Sequence, residues 1–253
     1  MRGYGCFAHY YDSLTQNISY KKRAEYYDSL VKTHGGKKNI LLDLACGTGS
    51  LSEEFARLGY DVIGVDSSEE MLNEALGKKF ESGFPIQYLC QDMTELDMFG
   101  TIDVIVCALD SLNHLESLDD LRKTVGRVSL FCEPGGLFLF DVNTPYKHRH
   151  ILGNNTFVYD TEDVYCVWQN YYSEGNDKVE ICLDFFERSD GDNYLRRSDD
   201  FSEIAFEEGV LEGILRENGF EIVGKYDGDS FNAVHGTSEK IVYAAKKSVN
   251  LAW

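Results

Sequence analysis

An acid and two glycines stand close together in segment 40–50 of the chain. Asp43 lies near the end of an apolar run, Gly47 and Gly49 follow it, and a helical pattern begins at Ser50. Glycines without a Cβ let a ligand approach the backbone, and the N-terminus of a helix attracts anionic groups. This order of residues is typical of a nucleotide-binding turn. Asp43 would suit a ligand with a positively charged group, such as an amine or a sulfonium.

Alternating apolar and helical patterns predict the elements that position this turn. Ser67, with Glu70 three residues later, predicts the cap of one helix, and Ser117 predicts the cap of another. The alternation predicts a parallel, doubly wound sheet. The predicted strands are 39–44, 60–65, 86–90, 102–108 and, after a turn at 133–136, 137–142, and the predicted helices include 19–34, 50–58 and 118–131.

The pattern changes after residue 150. Four β-rich stretches follow, which predict antiparallel hairpins, and then a helix at 207–218 and a closing hairpin formed by 220–226 and 240–246. The β-rich stretches are 156–160, 163–172, 178–188 and 194–206. Residues 1–18 are aromatic and predicted to be irregular. We therefore expect an arm and helix at 1–36, a main domain at 37–151 and 207–253, and an inserted β lid at 152–206.

The glycine spacing alone does not decide between a dinucleotide site and another kind of nucleotide site. A dinucleotide site commonly has a third glycine, which permits tight packing of helix on strand beside the pyrophosphate. Ser52 occupies that position here. The missing glycine counts against a dehydrogenase that uses NAD, without excluding it.

Four motifs in order resemble the class I S-adenosylmethionine-dependent methyltransferases, and specifically the bacterial members that act on small molecules. The motifs are 42–49, Val65-Asp66, Gln91-Asp92-Met93 and Pro134-Gly135-Gly136, and the resemblance covers about residues 37–145. It implies a Rossmann-like, mostly parallel seven-stranded sheet with the antiparallel lid inserted after strand five. It also implies S-adenosylmethionine as cofactor and S-adenosylhomocysteine as product.

The resemblance assigns roles to particular side chains of the cofactor site. It places Asp66 on the two ribose hydroxyls, Asp92 on the adenine amino group and the Met93 N–H on a ring nitrogen. Asp92 could instead be a solvated turn acid, and Tyr11 and Tyr20, placed near the cofactor carboxylate, could instead be core aromatics. The predicted cofactor residues are Tyr11, Tyr20, Asp43, Ala45, Gly47, Gly49, Asp66, Ser67, Gln91, Asp92, Met93, Ala108, Leu109 and Asp110.

Methyl transfer is an in-line displacement at an activated carbon, so the protein mainly aligns the acceptor and excludes water. A general base is optional, and His114, after strand four, is the candidate. The candidate residues for the acceptor are Asn113, Asn143, Tyr146 and Trp168. His148 and His150 cannot share a helix face, so we expect no metal site. The acceptor atom, whether O, N or C, stays open.

The composition limits the classes of partner that we expect for this chain. The chain has 253 residues, a net charge of −19 and seven scattered cysteines. An acidic surface disfavours nucleic acid, including RNA, as the acceptor. No apolar run approaches the roughly 20 residues of a membrane span, and no signal peptide is expected. We expect a cytoplasmic monomer or homodimer that methylates a small molecule. A cofactor-binding regulatory module without turnover is the alternative from a different class.

Overall fold

The computed structural model describes residues 7–15, 18–161, 164–189 and 193–248. The helices are α1 (Phe7–Leu14), α2 (Tyr20–Thr33), α3 (Ser50–Arg57), α4 (Glu69–Ser82), α5 (Leu118–Phe131), α6 (Pro145–Lys147) and α7 (Glu208–Glu217). The strands are β1 (Ile40–Leu44), β2 (Asp61–Asp66), β3 (Gln87–Cys90), β4 (Ile102–Cys107), β5 (Cys132–Asn143), β6 (Thr156–Asp160), β7 (Val164–Ser173), β8 (Lys178–Arg188), β9 (Tyr194–Ile204), β10 (Phe220–Asp227) and β11 (Lys240–Lys247).

Within the described ranges the strands form two sheets. The first has seven strands in the order β10-β11-β5-β4-β1-β2-β3, in which β1 to β5 are parallel and β11 runs antiparallel to both of its neighbours, β5 and β10. Helices α2 and α3 cover one face, and α5 and α7 cover the other. The strand order reverses between β1 and β4, and ligands of open α/β sheets bind at such a point. The predicted doubly wound fold is confirmed.

The second sheet is the antiparallel β6-β7-β8-β9, which was predicted as the inserted lid. One of its faces packs on α1, where the rings of Tyr10 and Phe185 stack at 5.7 Å. The prediction of an irregular segment at 1–18 is wrong for Phe7–Leu14. Phe7, Tyr10 and Leu14 are buried at helical spacing, so contact with the sheet stabilises a short helix.

Two predicted boundaries need correction. Ser68, and not Ser67, caps α4, because its Oγ accepts from the Met71 N–H at 3.2 Å. Strand β5 begins at Cys132, so the predicted turn at 133–136 is an irregularity within the strand, where the pairing register shifts. Residues 1–6 and 16–17 of the predicted arm, position 163 of a predicted strand and residues 190–192 of a predicted turn lie outside the described residues. Among the described helices, none is both long enough and apolar enough to cross a membrane.

Candidate active site

A cavity of about 270 Å³ lies between the carboxyl edge of β1, β2 and β4 and the second sheet. Helix α1 and the residues that follow it close one side. The wall on the side of the first sheet, made of strand ends and the segments that follow them, consists of Leu44, Ala45, Gly47, Val65, Asp66, Ser67, Met71, Gln91, Met93, Leu109, Asp110, Ser111 and His114. The opposite wall consists of Phe7, Tyr11, Leu14, Thr15, Ile18, Tyr159, Trp168, Phe201 and Glu203.

The glycine turn has backbone geometry that explains its sequence. Gly47 and Gly49 have φ of 53° and 74°, in the left-handed region that favours glycine. A Cβ on Gly49 would collide with the Tyr88 hydroxyl and crowd Ala75. A Cβ on Gly47 would meet only Met71 Sδ, at 3.9 Å, so glycine here keeps the cavity open. The two glycines therefore serve different purposes, which are helix packing at Gly49 and ligand space at Gly47.

Asp66 lies at the end of β2 and lines the larger cavity. Its Oδ2 accepts from the Gly47 N–H at 2.8 Å and its Oδ1 from the Ser68 N–H at 2.9 Å. Burial raises the pKa of Asp66, while the backbone hydrogen bonds act in the opposite direction. The backbone N–H of Ser67 also donates to this carboxylate, which offers about four lone-pair sites and so retains capacity for a ligand hydroxyl.

A smaller cavity of about 40 Å³ continues from the glycine turn. It brings together several predicted cofactor residues, namely Tyr11, Tyr20, Asp43, Ala45, Gly47, Ala108 and Leu109. Gly49 is not among the residues that line either cavity. Helix α1 is fastened beside this cavity, because Thr48 Oγ1 donates to Asp12 Oδ1 at 2.8 Å and Lys78 pairs with the other Asp12 oxygen.

Asp43 is buried at the base of the smaller cavity, and its Oδ2 accepts from Ser52 Oγ at 2.5 Å. Burial is the main reason that the pKa of Asp43 rises to about 7. The unfolded chain loses this proton near pH 3.9, so between these values the folded protein binds the extra proton and its stability falls as pH rises.

Asp43→Asn tests this protonation. The asparagine keeps an acceptor for Ser52 but does not titrate. We expect its free energy of unfolding, relative to the unsubstituted protein, to rise by about 2 kcal/mol between pH 5 and pH 7. Urea denaturation of the unliganded proteins at pH 5, 6 and 7 measures the difference. Asp61→Asn, at the exposed start of β2, is the control. A constant difference for Asp43→Asn would mean that Asp43 is ionised throughout the range.

Only some residues of the segment after β3 line the larger cavity. Gln91 and Met93 line it, and the Gln91 amide is held by the backbone of Asp97 on both sides, at 3.1 and 2.9 Å. Asp92 is not among the lining residues. Its Oδ1 accepts from the N–H and the Oγ1 of Thr94, both at 2.8 Å, so it caps a short 3₁₀ turn. Its contact with adenine therefore stays a prediction.

A buried ionic network supports the loop after β4. Asp141, on β5, is fully buried, and its Oδ1 accepts from the Leu109 N–H at 2.6 Å and from Tyr27 Oη at 2.9 Å. Lys240 Nζ lies 2.6 Å from Asp141 Oδ2 and 2.9 Å from Asp110 Oδ1. Burial would raise the pKa of Asp110, but the charges of Lys240 and Lys147 and the hydrogen bond from Lys240 together outweigh it and hold that pKa below its usual value. The network fixes Leu109 and Asp110 in the left-handed conformation, at φ of 60° and 54°.

The predicted acceptor residues separate into two groups. Trp168 and the predicted base His114 line the larger cavity, whereas Tyr146 does not, and its ring packs on His150. Asn113 is fully buried, and its amide bonds to backbone atoms of Asn143 and of Ile204. Neither asparagine is among the lining residues.

Two residues of the site, Glu203 and Lys240, were not predicted from the sequence. Asn143, which was predicted, links Glu203 to the rest of the site. Asn143 Nδ2 donates to Asp110 Oδ2 and to Glu203 Oε2, both at 2.9 Å, so it joins two carboxylates. Glu203 lies in the β-rich segment, where alternation predicts a strand but not which acid faces a cavity. Lys240 lies in a strand near the far end of the sequence, and no motif marks it.

Comparison with known proteins agrees with this geometry. A family model described as a methyltransferase domain matches residues 41–136. A chain of Geobacillus sp. (strain WCH70) with a provisional methyltransferase name is 33% identical over 246 residues, which are 96% of this chain and 99% of the relative.

Solved structures extend the similarity to the whole fold. An S-adenosylmethionine-dependent methyltransferase from Clostridium acetobutylicum ATCC 824 is 36% identical, with a TM-score of 0.87 over 97% of this chain and 99% of the other. An amino pentose methyltransferase from Micromonospora echinaspora, solved with S-adenosylmethionine bound, is 20% identical, with a TM-score of 0.75 over 94% and 96%. At that identity the second likeness shows the fold alone.

Proposed function

Since the chain belongs to the S-adenosylmethionine-dependent methyltransferases, we propose that it transfers the cofactor's methyl group to a small molecule held in the larger cavity. The observation that best supports this proposal is that the residues proposed for the cofactor and those proposed for the acceptor line the same cavity. Asp66 and Gly47 lie in one wall of the same cavity whose opposite wall carries Trp168 and Glu203. A cofactor on the first wall and an acceptor on the second would meet without a channel between them.

The chain's residues fit S-adenosylmethionine. The space above Gly47, which a Cβ would enter, suits close passage of the cofactor, and Asp66 offers two oxygens to the ribose hydroxyls. Gln91, Met93 and Met71 would surround the adenine. Leu72, the next residue of α4 after Met71, is buried and is not among the lining residues. The smaller cavity would take the methionine end, with Tyr20 and Asp43 nearby.

When bound, the cofactor supplies a methyl carbon that its sulfonium makes electrophilic. The protein's part is to align the acceptor with that carbon and to keep water away. The apolar wall of the cavity, formed in part by Phe7, Trp168 and Phe201, suits the exclusion of water. His114 lies in the same cavity, where a base could take a proton from the acceptor.

A small acceptor fits the dimensions of the site. The cavity, at about 270 Å³, is close to the lower limit of roughly 300 Å³ for ligand pockets, and it lies beneath α1 and the second sheet. The net charge of −19 also disfavours a nucleic acid acceptor.

Binding and turnover can be measured separately. We expect S-adenosylmethionine and S-adenosylhomocysteine to bind with dissociation constants of about 1–100 μM, in the range of typical small-molecule affinities. Calorimetry with each compound measures the binding, and a labelled methyl donor incubated with a metabolite extract measures transfer. Binding with no labelled product from any extract would favour the regulatory module. Absence of heat with both compounds would contradict the proposed site.

A further inference from the structure

The described residues that line the larger cavity include more acidic than basic side chains. Among the described residues that line it, three are acids, one is His114, and none is lysine or arginine. Asp66 is proposed above to meet the ribose, whereas one carboxylate oxygen each of Asp110 and Glu203 and one ring nitrogen of His114 lie within 4.8 Å of one another. We propose, building on the function proposed above, that the acceptor is an amine that enters as an ammonium ion, that Glu203 recognises its charge and that His114 takes its proton.

Glu203 has a carboxylate that the fold holds in place. It is only 4% exposed, on β9, two residues after Phe201, so both side chains are on the same face of the second sheet. Its Oε2 accepts from Asn143 Nδ2 at 2.9 Å, and its Oε1 lies 3.9 Å from His114 Nε2. Asn143 also holds Asp110, so one amide fixes the separation of the two acids.

Glu203 has no hydrogen-bonded cation among the described residues. His148 Nδ1 lies 2.8 Å from the Asp177 carbonyl oxygen, which only accepts, so Nδ1 carries a proton. Its Nε2 is buried, lies 3.4 Å from Glu203 Oε2 and makes no hydrogen bond in the part of the chain that the structure describes. His114, at 3.9 Å, is beyond hydrogen-bond reach. A buried carboxylate is costly without a paired cation, and an ammonium ligand would supply one.

Aromatic rings surround the same end of the cavity. The rings of Trp168 and Phe201 lie 6.1 Å apart at 81°, and Phe201 is 5.7 Å from Phe7 and 5.2 Å from His114. Ring faces carry partial negative charge and attract ammonium groups and their alkyl substituents. The rings and the two acids therefore favour the same ligand charge.

A divalent metal ion is the competing occupant of Asp110, His114 and Glu203. Both oxygens of Asp110 already accept hydrogen bonds, from Lys240 Nζ at 2.9 Å and from Asn143 Nδ2 at 2.9 Å. A metal ion on Asp110 would stand close to the charge of Lys240. An ammonium ion instead needs only Glu203 Oε1 and the ring faces, so the geometry favours the amine.

The proton and electron balance is simple. The ammonium group gives one proton to His114 Nε2, which leaves a neutral amine and an imidazolium that the charge of Glu203 stabilises. The nitrogen lone pair then forms the bond to the methyl carbon, and the electron pair of the carbon–sulfur bond goes to sulfur. The product leaves as the methylated ammonium ion, and His114 returns its proton to solvent.

A matched set of probes tests the charge preference. Benzylamine, benzyl alcohol and benzoate share one ring and differ in charge, and their binding to the protein saturated with S-adenosylhomocysteine is measurable by calorimetry. We expect benzylamine to bind at least about 10-fold more tightly than benzyl alcohol, and benzoate to bind most weakly. In Glu203→Gln this preference should fall below about 3-fold, because the amide carries no charge.

Glu180→Gln is the matched control, since Glu180 is an exposed acid of the neighbouring strand β8 and is not among the residues that line the cavity. It should keep the preference of the unsubstituted protein. Affinity for S-adenosylhomocysteine reports the folding of each variant, because Glu203 is not among the proposed cofactor residues. Equal affinities of the unsubstituted protein for benzylamine and benzyl alcohol would overturn the proposal. Such a result would leave the proposed cofactor binding intact.

Two further measurements distinguish the remaining outcomes. Acetylation of the amines in a metabolite extract should abolish the labelled product, and a product that persists would overturn the amine assignment. Mn²⁺ alone, titrated into the protein saturated with S-adenosylhomocysteine, should not bind in a manner that depends on Glu203. Tight Mn²⁺ binding that Glu203→Gln abolishes would assign the cluster to a metal ion instead.

Discussion

Replacement of Lys240 by methionine is expected to lower the free energy of unfolding by about 3–5 kcal/mol, which is typical when one partner of a buried ion pair is removed. Lys240 is only 17% exposed, and its Nζ lies 2.6 Å from Asp141 and 2.9 Å from Asp110. The methionine would fill a similar volume but would leave two carboxylates without their nearest cation. Arg23 Nη1, at 3.9 Å from Asp141, compensates only in part. Urea denaturation at pH 7 measures the loss.

Lys225→Met is the matched control for Lys240→Met. Lys225 also contacts two carboxylates, Glu208 at 2.8 Å and Glu212 at 3.1 Å, but it is 33% exposed on the surface. Its loss should cost at most about 1 kcal/mol. The deficit of Lys240→Met should also shrink as pH falls, because without Lys240 burial raises the pKa of Asp110 and protonation then removes its charge. Equal losses in the two variants would contradict the role assigned to burial.

The parts of the site that the sequence predicts are those built from contiguous residues. The glycine turn is one strand, one turn and one helix start in unbroken order, and Gly47 and Asp66 lie where that order places them. Parallel pairing then brings the strand ends to one edge. The fold could be predicted for the same reason. Each βα unit has its own apolar and helical pattern in a contiguous stretch of the chain.

The acceptor side could not be predicted because distant segments form it. Glu203, Asn143 and Lys240 come from three separate strands, and each has a sequence context that many solvated residues share. Asn113 and Asn143 were predicted to contact the acceptor from their places after strands. Their amides bind backbone atoms and carboxylates instead, which depends on side-chain direction and not on position in the chain.

Helix α1 shows the same limit at the level of secondary structure. Eight residues form too short a helix to be stable alone, and aromatic residues are moderate helix formers. The face of the second sheet that contains Phe185 supplies the missing stability. No local pattern indicates a contact such as that of Tyr10 with Phe185, 175 residues later in the chain, so the arm was predicted to be irregular.

Replacement of Asp66 by alanine is expected to weaken S-adenosylhomocysteine about 100-fold, or about 3 kcal/mol, since two charge-assisted hydrogen bonds to the ribose would be lost. Calorimetry measures the affinity. Asp61→Ala changes an exposed acid at the start of the same strand and should leave the affinity unchanged. An unchanged affinity in Asp66→Ala would refute the ribose assignment.

A lower affinity in Asp66→Ala has two physical causes that a second ligand separates. Asp66 also accepts from the Gly47 N–H at 2.8 Å and from the Ser68 N–H at 2.9 Å, so its removal loosens the turn itself. A 2′,3′-dideoxy analogue of S-adenosylhomocysteine has no ribose hydroxyls and cannot report their loss. If Asp66 binds the ribose, the analogue should bind the variant and the unsubstituted protein within about 5-fold of each other. An equal, roughly 100-fold loss for both ligands would mean that Asp66 acts only by holding Gly47.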